Sequence, residues 1–141
     1  SNDAYANSVY VSGTDVYVAG YEKSGTKYVA KVWKNGVATS LTNGSNDAGA
    51  NSVYVSGTDV YVAGNEISGT KSVAKVWKNG VATSLSNDAR ANSVYVSDTD
   101  VYVAGDEYNG TKSVAKFWKN GVATSLTNGS NDAFAYSIFV Y

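Results

Sequence analysis

Residues 8–41 read SVYVSGTDVYVAGYEKSGTKYVAKVWKNGVATSL. Apolar residues in this stretch alternate or run short, are mostly Val and Tyr, and are broken by turn signals every six to ten residues, which is the pattern of strands and not of helices. Four antiparallel strands are predicted, at Ser8–Ser12, Asp15–Tyr21, Tyr28–Lys34 and Val37–Leu41. Gly13-Thr14 suits a type II′ turn and Asn35-Gly36 a type I′ turn, and two-residue turns of these kinds fix hairpin register. Counting outward pairs Tyr10 with Tyr17 and Trp33 with Ala38, and a five-residue loop over Lys23–Lys27 sets Tyr17 opposite Trp33. Side chains alternate between faces along a strand. One face is therefore expected to carry Tyr10, Tyr17, Trp33 and Ala38, and the other Val9, Val11, Val16, Val18, Val32 and Thr39.

The same stretch recurs. Ser-Asn-Asp-Ala begins at Ser1, Ser45, Ser86 and Ser130, at spacings of 44, 41 and 44 residues. The chain divides into repeats at 1–44, 45–85 and 86–129 and a partial repeat at 130–141. Residues 1–41 and 45–85 differ at only four positions, Tyr5/Gly49, Tyr21/Asn65, Lys23/Ile67 and Tyr28/Ser72, a closeness expected of recent duplication or of design. A period in the low forties belongs to four-stranded propeller blades and also to paired-helix repeats; the strand pattern chooses between them.

A sheet apolar on both faces needs a neighbour on each, and identical sheets satisfy this by setting the aromatic row of one against the valine row of the next. Radial closure of such a stack is a β-propeller. The predicted fold class is thus all-β, a propeller of four-stranded antiparallel blades, three per chain plus an extra C-terminal strand. Its expected inter-blade core is Tyr10, Tyr17 and Trp33, then Tyr54, Tyr61 and Trp77, then Tyr95, Tyr102 and Trp118. The unit, with its DVYVAG and VAKVWKNG stretches, resembles the blade of tandem-repeat β-propellers of bacterial surface proteins and of designed symmetric propellers. It lacks the double glycine of kelch repeats and the Gly-His and Trp-Asp signatures of WD40 repeats.

Closed propellers have about four to eight blades, so three leave two apolar faces open. The expected partner is the chain itself: a dimer with six blades or a trimer with nine, joined head to tail, each junction burying about 1,000 Å² or more. In the partial repeat, Ile138, Phe139 and Val140 stand where Val9, Tyr10 and Val11 stand in the first. The segment keeps an inner-strand pattern, giving thirteen strands for twelve places.

At 141 residues, 43% hydrophobic and 16% charged, the chain has the composition of a soluble globular protein. It has no cysteine and no histidine, which removes disulfides, thiol nucleophiles, common zinc sites and the commonest general base. No cofactor, metal or enzymatic activity is expected. A net charge of −1 without a basic block argues against nucleic acid, and no apolar run reaches membrane-helix length. A start at Ser1-Asn2-Asp3, without Met or leader pattern, is expected of a mature fragment or an engineered chain; a natural parent would be secreted or surface-borne.

Recurrent Glu22, Glu66 and Glu107, and Asp15, Asp59 and Asp100, supply no acid–base pair within a unit and read as solvated loop carboxylates. Lys31, Lys75 and Lys116 read as extending past the sheet edge. Asn2, Asp3 and Asn7 lack the order of a calcium loop and read as turn caps. Asn43, Asn109 and Asn128 head N-x-[ST] triplets that arise easily in so Asn-rich a chain. Nearly all substitutions among repeats fall beside the loops at one end of the sheets. Should this loop face bind a small molecule or glycan, the candidate contacts are Tyr5, Tyr21, Arg90, Asp106 and Tyr108, with tyrosines to stack on sugar rings and Arg and Asp to bond hydroxyls.

Overall fold

The computed structural model describes residues 2–141. Twelve strands form three separate four-stranded antiparallel sheets, each in sequential order. The first holds β1 (Ala4–Ser12), β2 (Asp15–Ser24), β3 (Lys27–Lys34) and β4 (Val37–Ser40). The second holds β5 (Ala48–Ser56), β6 (Asp59–Ser68), β7 (Lys71–Lys78) and β8 (Val81–Asn87). The third holds β9 (Ala89–Ser97), β10 (Asp100–Tyr108), β11 (Ser113–Lys119) and β12 (Val122–Ser125). Strands β1, β5 and β9 lie inside and touch in succession, while β4 and β12 are exposed along their whole length. These are the blades of a propeller.

The outer two hairpins have the predicted register, with Tyr10 opposite Tyr17 and Trp33 opposite Ala38. Gly13 (φ 61°), and the pair Asn35 (φ 49°) and Gly36 (φ 84°), take the left-handed backbone their turns demand. The middle hairpin differs from expectation. Its strands run on to pair Ser24 with Lys27, so a two-residue Gly25-Thr26 turn replaces the five-residue loop, and Tyr17 lies opposite Lys34 while Val18 lies opposite Trp33. A slip of one residue moves a strand's whole side-chain set to the opposite face. Trp33 therefore shares a face with Val9, Val11, Val16 and Val18, and Val32 and Thr39 join Tyr10 and Tyr17 on the other.

The inner strands are also longer than predicted, because a bulge carries them past Asn7, Asn51 and Asn92. At the bulge the partner strand must be glycine. A Cβ on Gly20, Gly64 or Gly105 would lie 1.9–2.0 Å from the carbonyl oxygen of Tyr5, Gly49 or Arg90. In the second repeat, which lacks Thr-Asn-Gly after Leu85, the outer strand β8 continues to Asn87 and runs almost directly into β9. Residues 130–141 form no ladder, yet they occupy an inner-strand position beside β9, as the junction hydrogen bonds below show.

Substituting Gly64 by Ala forces backbone apart at a buried bulge, and should cost about 2–3 kcal/mol, on the scale of an overpacked core. Chemical denaturation of Gly64→Ala against the parent chain checks this; an unchanged midpoint would mean the bulge relaxes without cost.

Candidate functional site

Two successive blades meet through unlike faces. The face of the first blade that carries Tyr17, Ala19, Ala30 and Val32 packs on Val53, Val55, Val62 and Trp77 of the second. Tyr61, Ala63, Ala74 and Val76 of the second pack in the same way on Val94, Val96, Val103 and Trp118 of the third. The expected tyrosine-to-valine packing is present, with the tryptophan on the valine side of the junction.

Along the inner strands a pair of hydrogen bonds stitches each blade to the next. Asn7 Nδ2 donates to Ala50 O at 2.9 Å, and the Val53 N–H donates to Ser8 Oγ at 3.2 Å. Asn51 and Ser52 make the same pair with Ala91 and Val94, at 2.9 and 3.1 Å. Asn92 and Ser93 make it with Ala135 and Ile138, at 2.9 and 3.2 Å. The partial repeat is thus seated as the inner strand of a fourth blade, and Phe139 prolongs a file of rings through Tyr10, Tyr54 and Tyr95, whose centroids are 4.6–5.0 Å apart. Burial and the hydroxyls of Tyr95 and Tyr10 push the Tyr54 phenol up.

Both ends of this stack are open. Val9 is 64% exposed where Val53 and Val94 are 4%, and Trp33 is half-buried where Trp77 and Trp118 are 1%. A shallow cleft of about 290 Å³ lies on this face among Ala6, Val16, Val18 and Trp33. At the far end Tyr102 is half-buried where Tyr17 and Tyr61 are buried, and Leu126 is exposed. Within one chain the predicted core residues Tyr17, Tyr61, Trp77 and Trp118 are enclosed, whereas Tyr10, Trp33, Tyr54, Tyr95 and Tyr102 are only partly so.

The recurrent charges are paired instead of free in solvent. Lys31, Lys75 and Lys116 turn back to Glu22, Glu66 and Glu107 at 2.5, 2.6 and 3.1 Å. Asp15, Asp59 and Asp100 bind Lys34, Lys78 and Lys119 at 2.7–2.9 Å and accept from the turn asparagines Asn35, Asn79 and Asn120 at 2.7–2.8 Å. Each lysine also lies over a tyrosine ring at 5.3–5.4 Å. The lysine, then the asparagine, holds each of these three carboxyls below its ordinary range. Asp47 and Asp132 are lowered too, first by the backbone N–H of Tyr28 and Ser113 and then by Lys27 and Lys112. Asn43, Asn109 and Asn128 accept from backbone N–H groups two residues on, the bonding of Asx turns. Among the described residues no three His, Cys, Asp or Glu side chains gather as a metal site.

The five loop-face candidates do not form one site. Tyr5 and Tyr21 stack, with centroids 4.9 Å apart, in a cleft of about 440 Å³ between the first and second blades. Arg90, Asp106 and Tyr108 line a different cleft, between the second and third. There Asp106 is buried and committed to Arg90 at 3.1 Å and to Asn92 at 3.3 Å, and Arg90 lies over Phe134 at 5.6 Å. Tyr28, Gly49, Asn51 and Asn65, absent from the candidate set, line the first cleft. The substitutions Tyr5/Gly49, Tyr21/Asn65 and Tyr28/Ser72 were the available signal, and only the blade junction shows that Tyr5, Tyr21 and Tyr28 line one cleft with Gly49 and Asn65. No family model matches the sequence, and no curated protein is significantly similar to it.

Two outcomes follow from this geometry. Trp77 is enclosed within the single chain, so Trp77→Ala should lower stability by about 3–5 kcal/mol, read by denaturant titration; retained stability would remove the tryptophan from the core. The second is a pH dependence. Because the folded state binds protons at these aspartates more weakly than the unfolded chain, their stabilisation is present above the ordinary carboxylate pKa and lost as pH falls through the lowered folded values. The melting temperature should hold steady from neutrality down to about pH 5 and drop below about pH 4, with Asp59→Asn flattening the drop.

Proposed function

We propose that the chain is a non-catalytic structural repeat protein whose activity is head-to-tail self-assembly into a closed β-propeller. One observation carries this reading: the open face of the first blade bears the residues that the second and third blades bury against their predecessor, and the open face of the third bears the residues that do the burying. A second copy therefore offers each end a surface already matched twice within the chain. Burial of Val9, Val11, Val18 and Trp33 is the driving force, and assembly and folding are linked by mass action. Similarity of the repeat to the designed symmetric propeller Cake favours nine blades from three copies; the usual range of about four to eight blades favours six from two. The inner-strand place beside β9 is held by residues 130–141, so the β1 strand of an arriving copy and this segment compete for it, and one must yield or pair across copies.

Native mass spectrometry and sedimentation at micromolar concentration should give the mass of two or three chains and thereby the blade number. Trp33→Ala, at the open end, should shift the mass toward the monomer while leaving the second and third blades folded, unlike the enclosed Trp77. A stable, well-folded monomer of the parent chain would overturn the assembly reading.

A further inference from the structure

The first and second repeats are identical over 41 aligned residues except at four positions. Of the eight residues at those positions, six line one cleft between the first and second blades: Tyr5, Tyr21 and Tyr28 on one wall, and Gly49, Asn65 and Ile67 on the other. Exposure alone does not account for this. Val37 and Val81 are about 70% exposed, and with the rest of their outer strands they are the same in both repeats. Divergence is concentrated where the two blades face each other across an open space. At the next junction the tyrosine positions hold Gly49, Asn65 and Ser72, and no aromatic wall exists there.

The three tyrosines form one contiguous aromatic cluster. Tyr21 stacks on Tyr5 and meets Tyr28 edge-on at 5.3 Å, and Tyr5 and Tyr28 are 6.2 Å apart. Rings in mutual contact leave no cavity among themselves for a cation to be surrounded, as an aromatic cage requires. They offer a contiguous, partly exposed aromatic wall instead, in which Tyr28 stands at 84° to Tyr21 and 69° to Tyr5. Opposite, Asn51 Nδ2 donates to Asn65 Oδ1 at 3.3 Å and to Ala91 O at 2.9 Å, which leaves Asn51 Oδ1 as an acceptor and the Asn65 amide nitrogen as a donor without partners among the described residues. Asp47 is already occupied by Lys27 and the Tyr28 N–H, so the cleft presents no unpaired carboxylate. Tyr21 packs closely over Gly49, where even a Cβ would lie 3.3 Å from its ring, so the open part of the cleft lies beside this contact. The volume, about 440 Å³, is within the range of small-molecule sites.

We infer that this cleft is a binding site for a neutral pyranose, its C–H face laid on the exposed part of the tyrosine wall and its hydroxyls shared between the Asn51 and Asn65 amides. The site lies wholly within one chain, and Tyr5 alone of its tyrosines also lines the cleft on the open face of the first blade. Arg90, Asp106 and Tyr108 take no part in it.

The test is saturation-transfer NMR with the methyl glycosides of glucose, galactose, mannose and N-acetylglucosamine, and with tetramethylammonium as the cationic probe. The comparison variant carries Tyr5→Gly, Tyr21→Asn and Tyr28→Ser, the residues that the second blade already holds at those places, and its fold is checked by thermal melting. The expected result is saturable binding of at least one glycoside, with signal on its ring C–H protons, weakened at least tenfold in a variant that still melts cooperatively. Three results would overturn the inference: no saturable binding of any glycoside, binding of equal strength in the variant, or binding of tetramethylammonium alone. Should the variant fail to fold, Asn65→Asp, which sets at this position the residue of the third blade, serves instead: it removes the free amide donor, and glycoside binding unchanged by it would also overturn the inference.

Discussion

Trp77 and Trp118 are the largest fully buried side chains of the molecule, and neither is covered by its own sheet. Each is roofed by the blade before it, through a tyrosine, two alanines and a valine on that blade's facing side. A four-stranded sheet of this size cannot enclose an indole alone, so no blade is complete without a predecessor. The small residues have a specific part in this. Ala19 and Ala30, like Ala63 and Ala74, are wholly buried and let the sheets approach closely enough for the larger side chains to interdigitate.

Two ends of each sheet have been put to different uses. At one end the same Asp, Lys and Asn lock the turns of all three blades, with the lysine lying over the tyrosine beneath it. Individually such exposed pairs contribute little; as a repeated arrangement they pin the register of hairpins whose cores are made of few residue types. At the other end the carboxylates of the connecting segments, Asp47 and Asp132, reach back to the third strand of the preceding blade, and the residues between these fixed points vary. A rigid frame with variable positions at one rim is the arrangement on which binding surfaces are commonly built.

Much of this was legible in the sequence. The repeat, the four strands and two of the three hairpin registers follow from two-residue Gly-Thr and Asn-Gly turns that admit one geometry each, and the segregation of Tyr from Val follows from alternation. The middle register was not legible, because Ser24-Gly25-Thr26-Lys27 reads equally as the centre of a five-residue loop or as a tight turn with its flanking pair. That one-residue ambiguity exchanges Trp33 and Val32 between faces. Nor does local sequence reveal that Asn7 is a bulge residue reaching the next blade, since its partner, Ala50, is 43 positions away, or that Gly20 is dictated by a carbonyl of the neighbouring strand. Of the loop-face residues, Tyr5 and Tyr21 lie together in one cleft, and Arg90, Asp106 and Tyr108 in another. Arg90 and Asp106, judged from residue type alone as ligand contacts, are in fact engaged with each other.

The junction between the first and second blades is spanned by a connector containing Thr42-Asn43-Gly44, and the junction between the second and third lacks those three residues. Their stitching hydrogen bonds agree within 0.1 Å all the same. Blade spacing is therefore an attribute of the contacting surfaces and not of the length of the connecting peptide. A junction so insensitive to the length of its covalent link has little need of the link. The order in which blades follow one another along a polypeptide becomes a matter of genetic bookkeeping, open to permutation, splitting or insertion at the connector while the surfaces themselves are kept.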